Sequence, residues 1–183
     1  MQITTKKKNT IKMNKLYQVI ILVAIFTIPN YTIGQSKKKA NKDTAEWRYE
    51  IEAVGTGTQG TYLIKVWSYS KKPETAIEQA KKNAVHGIIF KGFPDKDREK
   101  GQKALAQSPN LEQEKEDFFQ DFFQDGGKYQ KFVTLTNNGA IAPGDRIKIG
   151  KEYKIGVIVS VNVAALRKDL EDAGIIKGLS SGF

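Results

Sequence analysis

From Glu152 to Val163 the chain alternates almost without fault. Tyr153, Ile155, Val157, Val159, Val161 and Val163 fall on one side, and Lys154, Gly156, Ser160 and Asn162 on the other; only Ile158 breaks the rule. A period of two is the signature of a strand, whose successive side chains point to opposite faces of a sheet. One face of this strand is fit to be covered and the other to stay open. Strands of a parallel α/β sheet are covered on both faces and read as unbroken apolar runs. The pattern therefore demands an antiparallel sheet with one dry side.

Two further segments obey the same period. In Trp47 to Val54 the residues Trp47, Tyr49, Ile51 and Ala53 oppose Arg48, Glu50 and Glu52. Thr61 to Ser70 carries Tyr62, Ile64 and Val66 on one face and Leu63, Lys65, Trp67 and Tyr69 on the other, so it reads as a central strand. Gly55, Gly57 and Gly60 lie between them. They spell G-x-G-x-x-G, but the dinucleotide-binding form of that motif opens a helix. Here a strand follows, so the expectation is a hairpin turn. Tyr129 to Thr136 is expected to be a third strand, before turn signals at Asn137-Asn138-Gly139 and Pro143-Gly144.

Helical spacing occupies the gaps. Pro73 suits a first helical position and Glu74 suits its dipole. Ala76, Ile77, Ala80, Ala84, Val85 and Ile88 then recur at a helical period. Leu111 to Gln124 predicts a second helix with Phe118, Phe119, Phe122 and Phe123 in one stripe. That stripe reads as a core face; a lipid-facing helix or a partner groove is the functional alternative. Ala164 to Ala173 predicts a short last helix. The charged stretch near 95–110 reads as a surface insertion and 175–183 as a tail. The expected fold class is α+β: a two-layer sandwich in the order β-β-α-α-β-β-α. Its sheet is mainly antiparallel, with about four strands and the helices on one face.

The N-terminal fifth argues for export. Lys6, Lys7, Lys8, Lys12 and Lys15 precede an apolar run from Leu16 to Ile28, a break at Pro29-Asn30 and small residues before Gln35. This is the order of a cleaved secretory signal, expected over 1–34, with Met13 as an alternative start. The run is too short to span a bilayer, which takes about 20 residues. Its removal leaves about 150 residues, the size of one domain. It also lowers the net charge from +10 to +5, since five lysines and no acids leave. Lys37, Lys38, Lys39 and Lys42 belong to a polar leader, 35–46, and without them the remainder is about +1. A nucleic-acid binder concentrates basic charge on its folded domain, and none is expected here. Membrane contact is at most peripheral, through the leader. The chain has no cysteine. That excludes disulfides, thiol catalysis, thiolate metal sites and a lipidated cysteine.

Candidate chemistry is sparse. His86 is the single histidine and is expected on the surface near its helix end, opposite the alanine stripe. No G-x-S-x-G elbow accompanies it, and a histidine-cluster metal site is excluded by count. Neither a catalytic residue nor a cofactor is assigned. Paired carboxylates remain for glycosidase-type chemistry. Glu50 and Glu52 share a strand face at roughly 7 Å. The open sheet face is the most informative surface: Trp67, Tyr69, Lys65, Arg48, Glu50 and Lys154 gather there by strand parity. Aromatic rings among polar neighbours suit a peptide strand, a glycan or another subunit. A second packed layer, supplied by the 95–110 insertion, would explain the same rings.

The succession of a glycine turn, a strand, a helix with Ala76, Ala80 and Ala84, the run Tyr153–Val163 and a Leu166/Leu170 helix is similar to a known pattern. It resembles the small exported domains at the start of flagellar assembly protein T and in related outer-membrane lipoproteins. The resemblance covers about residues 47–92 and 129–173, and residues 95–125 have no counterpart in it. It implies an alanine-rich helix on a small sheet and a non-enzymatic role in envelope assembly, with another envelope protein as partner. It carries over no catalytic residue. The runner-up functions are a cell-wall or glycan hydrolase using paired carboxylates, and a lipid or small-ligand carrier using the phenylalanine stripe.

Overall fold

The computed structural model describes residues 47–58 and 60–178. The expected signal segment and lysine leader lie outside the described residues. Five antiparallel strands and a helical layer form an α+β fold. Strand β1 (Tyr49–Thr56) pairs with β2 (Thr61–Ser70), and β2 with the long β5 (Glu152–Asn162). On its far side β5 pairs with β3 (Val133–Leu135) along one half and with β4 (Arg146–Ile149) along the other. The central position of β2 and the hairpin at Gly57–Gly60 follow the sequence pattern.

Helix α1 (Pro73–Phe90) lies on the inward face of the sheet. Ala76, Ala80 and Ala84 are fully buried against Ile64, Val66, Val157 and Val159. Alanines let helix and sheet approach closely, and nowhere more than at Gly87. A Cβ there would lie 2.1 Å from Ile51 Cδ1 and 3.1 Å from Tyr49 Cε2. The last helix, α4 (Val163–Asp172), is capped by the Asn162 side chain, which accepts from the Ala165 N–H at 2.9 Å. Its Leu166 and Leu170 complete the core.

The structure corrects several expectations. The helix expected over Leu111–Gln124 is broken at Lys115 (φ −123, ψ 36) into α2 (Leu111–Glu114) and α3 (Glu116–Phe123). The first half of the strand expected at Tyr129–Thr136 is a 3₁₀ turn, Lys128–Phe132. Side chains three apart eclipse in such a turn, so Tyr129 and Phe132 enter the core together, where a strand would have split them. The fifth strand, β4, was not anticipated. The 95–110 segment is no mere surface insertion. Its Leu105 is buried, and the amides of Leu105 and Ala106 donate to the Ile88 and Ile89 carbonyls at 3.1 and 2.8 Å. Those carbonyls end α1 and have no helical partner, so the loop closes the helix. Ile176, in the expected tail, is also buried against the core.

Candidate functional site

All six sequence-picked residues meet on the outward face of the sheet. The register sets Glu50 beside Trp67 and Trp67 beside Gly156, with Tyr69 beside Lys154 in the next row. Trp67 packs against Gly156. A Cβ on Gly156 would come within 3.0 Å of the indole and 3.2 Å of both Asp145 and Lys65, so a larger residue there would have to push the ring and its neighbours aside. The indole N–H donates to Glu52 at 2.7 Å. Lys65 and Lys154 hold their ammonium groups 5.4 and 5.1 Å from the ring centre, within cation–π range.

Around that ring the charges interlock. Tyr69 donates to one oxygen of Glu50 at 2.9 Å and Lys154 donates to the other at 2.6 Å. The Arg48 guanidinium covers the Tyr69 ring at 4.5 Å and pairs with Glu152. Lys65 pairs with Asp145 at 2.7 Å, and Lys96 with Glu52. The Lys154 ammonium holds the Glu50 carboxyl below its usual range, aided by Tyr69. Lys96 does the same for Glu52, aided by Trp67. Glu50 in turn raises Lys154. A carboxylic acid that donates a proton needs the opposite shift, a raised pKa. The Glu50/Glu52 pair is built to stay charged.

Trp67 is only 8% exposed, yet it is not part of the helical core. The stems of Lys65 and Lys154 and the turn that carries Asp145 cover it. The 95–110 loop reaches only the rim, where Lys96 meets Glu52 and Glu99 meets Thr56. Tyr69 is half-buried, and Arg48 and Glu50 are exposed.

A second polar cluster was misread from the sequence. His86 is 3% exposed, not on the surface. Its Nδ1 lies 2.6 Å from the Tyr49 hydroxyl and its Nε2 3.3 Å from both oxygens of Glu112. These partners assign a neutral ring that donates from Nε2 and accepts at Nδ1. Trp47 stacks on it at 3.5 Å, and Phe90 and Phe123 flank it. Burial lowers the histidine's pKa against the pull of Glu112, and burial raises that of Tyr49. Helix α1 is covered on two sides, by the sheet and by α3, so the face opposite the alanines is not free. The signal was present in Asn83–Phe90, which has no charged residue; a helix apolar all round is a buried one.

Beside this cluster a shallow groove of about 530 Å³ is lined by Trp47, Glu112, Glu116, Phe119 and Phe123 among others. Phe119, Phe122 and Phe123 are buried and Phe118 is half-buried, so the stripe packs inward. Among the described residues no three His, Asp or Glu side chains gather as a metal site. Among them, too, no helix is long and apolar enough to cross a membrane. No family model, curated protein or solved structure matches this chain.

Proposed function

We propose that this chain is an exported, non-enzymatic envelope protein that binds or assembles with another envelope protein through the open face of its sheet. The observation that carries the reading is the Trp67–Tyr69 pair, held outside the helical core by a fixed lattice of Glu50, Glu52, Lys65, Arg48 and Lys154. Tyr69, braced with Arg48 and Glu50 beside the covered Trp67 ring, presents a preformed surface, and a partner that meets it loses little side-chain freedom. The N-terminal basic, apolar and small-residue succession supports export and periplasmic placement.

Crosslinking in intact cells tests the binding reading, with a C-terminal tag and bound proteins read by mass spectrometry. The expected result is a stoichiometric envelope partner, lost in a Glu50→Lys, Tyr69→Ala double variant that melts like the unchanged chain. Retention of the partner by that variant, or no partner above background, contradicts the reading. N-terminal sequencing of the mature protein tests export, and Gln35 is the expected first residue.

A further inference from the structure

We propose that β4 is the docking edge for an extended acidic segment of the partner protein, which joins the sheet as an added strand. This rests on the binding reading above and gives the partner its chemistry. Strand β4 pairs with β5 alone, and no other strand borders it among the described residues. All four of its residues are exposed. In a hairpin closed by the two residues Gly150–Lys151, hydrogen-bonded and non-hydrogen-bonded pairs alternate. Every second residue of β4 therefore turns its N–H and C=O away from β5. Such an edge is a ready template for another strand.

The side chains select what that strand must be. Ile147 and Ile149 stand opposite Lys154 and Glu152, on the same face as Trp67 and Tyr69. They are 45% and 48% exposed, two of the three exposed large apolar side chains among the described residues. Arg146 and Lys148 project to the other face, opposite Ile155 and Tyr153, with Arg146 4.5 Å over the Tyr153 ring. The nearest carboxylates are already engaged: Asp145 by Lys65 and Glu152 by Arg48. No carboxylate among the described residues pairs with Arg146, Lys148 or Lys151. Residues directly across an antiparallel pair share a face and interact. An added strand therefore meets isoleucine on one face and, on the other, cations with no carboxylate partner among the described residues. The complementary sequence alternates apolar with acidic residues.

A second copy of this chain does not fit. With the open faces on the same side, antiparallel β4–β4 pairing sets Lys148 against Lys148 or against Arg146, and like charges directly opposite repel. A lysine-bearing short edge guards against self-pairing. Toward an acidic strand the same cations attract.

The test uses the full 183-residue chain and labelled peptides of about ten residues, read by fluorescence anisotropy near physiological salt. One peptide alternates valine with glutamate, one alternates valine with lysine, and a third is the first with N-methylated backbone amides. The glutamate peptide is expected to bind at least about tenfold more tightly than either of the others. An Arg146→Glu, Lys148→Glu double variant is expected to reverse the preference and capture the lysine peptide. That gain cannot come from an unfolded chain. Equal binding of the glutamate and lysine peptides, or a double variant that still prefers glutamate, overturns the proposal. So does dimerisation through β4, or uptake by phosphatidylglycerol vesicles without peptide binding. If cells yield a partner that depends on Glu50 and Tyr69 while the peptides ignore β4, this inference falls and the binding reading stands. If no partner is captured at all, the binding reading is what fails.

Discussion

Two aromatic and ionisable clusters sit on opposite sides of the same sheet, and they are built from similar parts. Outward, Trp67 and Tyr69 donate to Glu52 and Glu50. Inward, Trp47 stacks on His86, which joins Tyr49 to Glu112. The outward set is assembled by strand neighbours, keeps its charges half in water, and leaves Tyr69, Glu50 and Arg48 accessible. The inward set is sealed by Phe90 and Phe123 and holds its histidine neutral. The same residue types thus give a solvent-facing surface on one side and a strut of the core on the other. Burial decides which, and burial comes from whether a helix covers the face.

Three mutational tests sharpen that contrast. Phe119 is 3% exposed and touches the rings of Phe90, Phe122 and Phe123. Phe119→Ala is expected to cost about 3–5 kcal/mol in urea unfolding, because it leaves a cavity in the helical layer. A loss below about 1 kcal/mol would mean that this layer is loosely packed.

His86→Leu comes next, at about 1–3 kcal/mol near neutral pH, since Tyr49 and Glu112 lose their partner. It also carries a pH signature. The folded-state pKa of His86 lies below its ordinary value of 6.5. Below that value the unfolded chain takes up a proton more readily than the folded one, so stability is present above pH 6.5 and drains as pH falls toward the folded value. His86 is the only histidine, so melting temperatures of the unchanged chain should drop between about pH 7 and pH 5.5. His86→Leu should be flat over the same interval. A slope of equal size in both proteins would place the titration elsewhere.

The smallest effect belongs to the open face. A double-mutant cycle on Glu50 and Lys154 should return only about 0.2–1 kcal/mol, and less in high salt, because the pair is solvated. A coupling as large as the His86 effect would erase the distinction between the two sides.

How far the sequence revealed these regions follows from the range of the interactions involved. The period-two pattern in Trp47–Val54, Thr61–Ser70 and Glu152–Val163 placed six residues of the open face together, because parity and pairing order suffice to align them. The same reasoning missed β4: Arg-Ile-Lys-Ile before Gly150 alternates, but four residues between turns are easily taken for loop. His86 was misplaced because one-sided amphipathicity leaves the α1 face opposite the alanines to solvent. Trp47 and the return of Phe119 and Phe123, over thirty residues later, cover it. The break at Lys115 and the 3₁₀ turn before β3 likewise depend on where the core needs Leu111, Tyr129 and Phe132, which local pattern does not encode.

The most direct measurement places a photoreactive phenylalanine analogue at Tyr69 in one protein and at Gln120, exposed on the helical side, in another, with crosslinking in living cells. Adducts with a single envelope protein from position 69, and none from position 120, are the expected result. Adducts from position 120 alone, or the same products from both positions, would contradict the assignment of partner binding to the open sheet face.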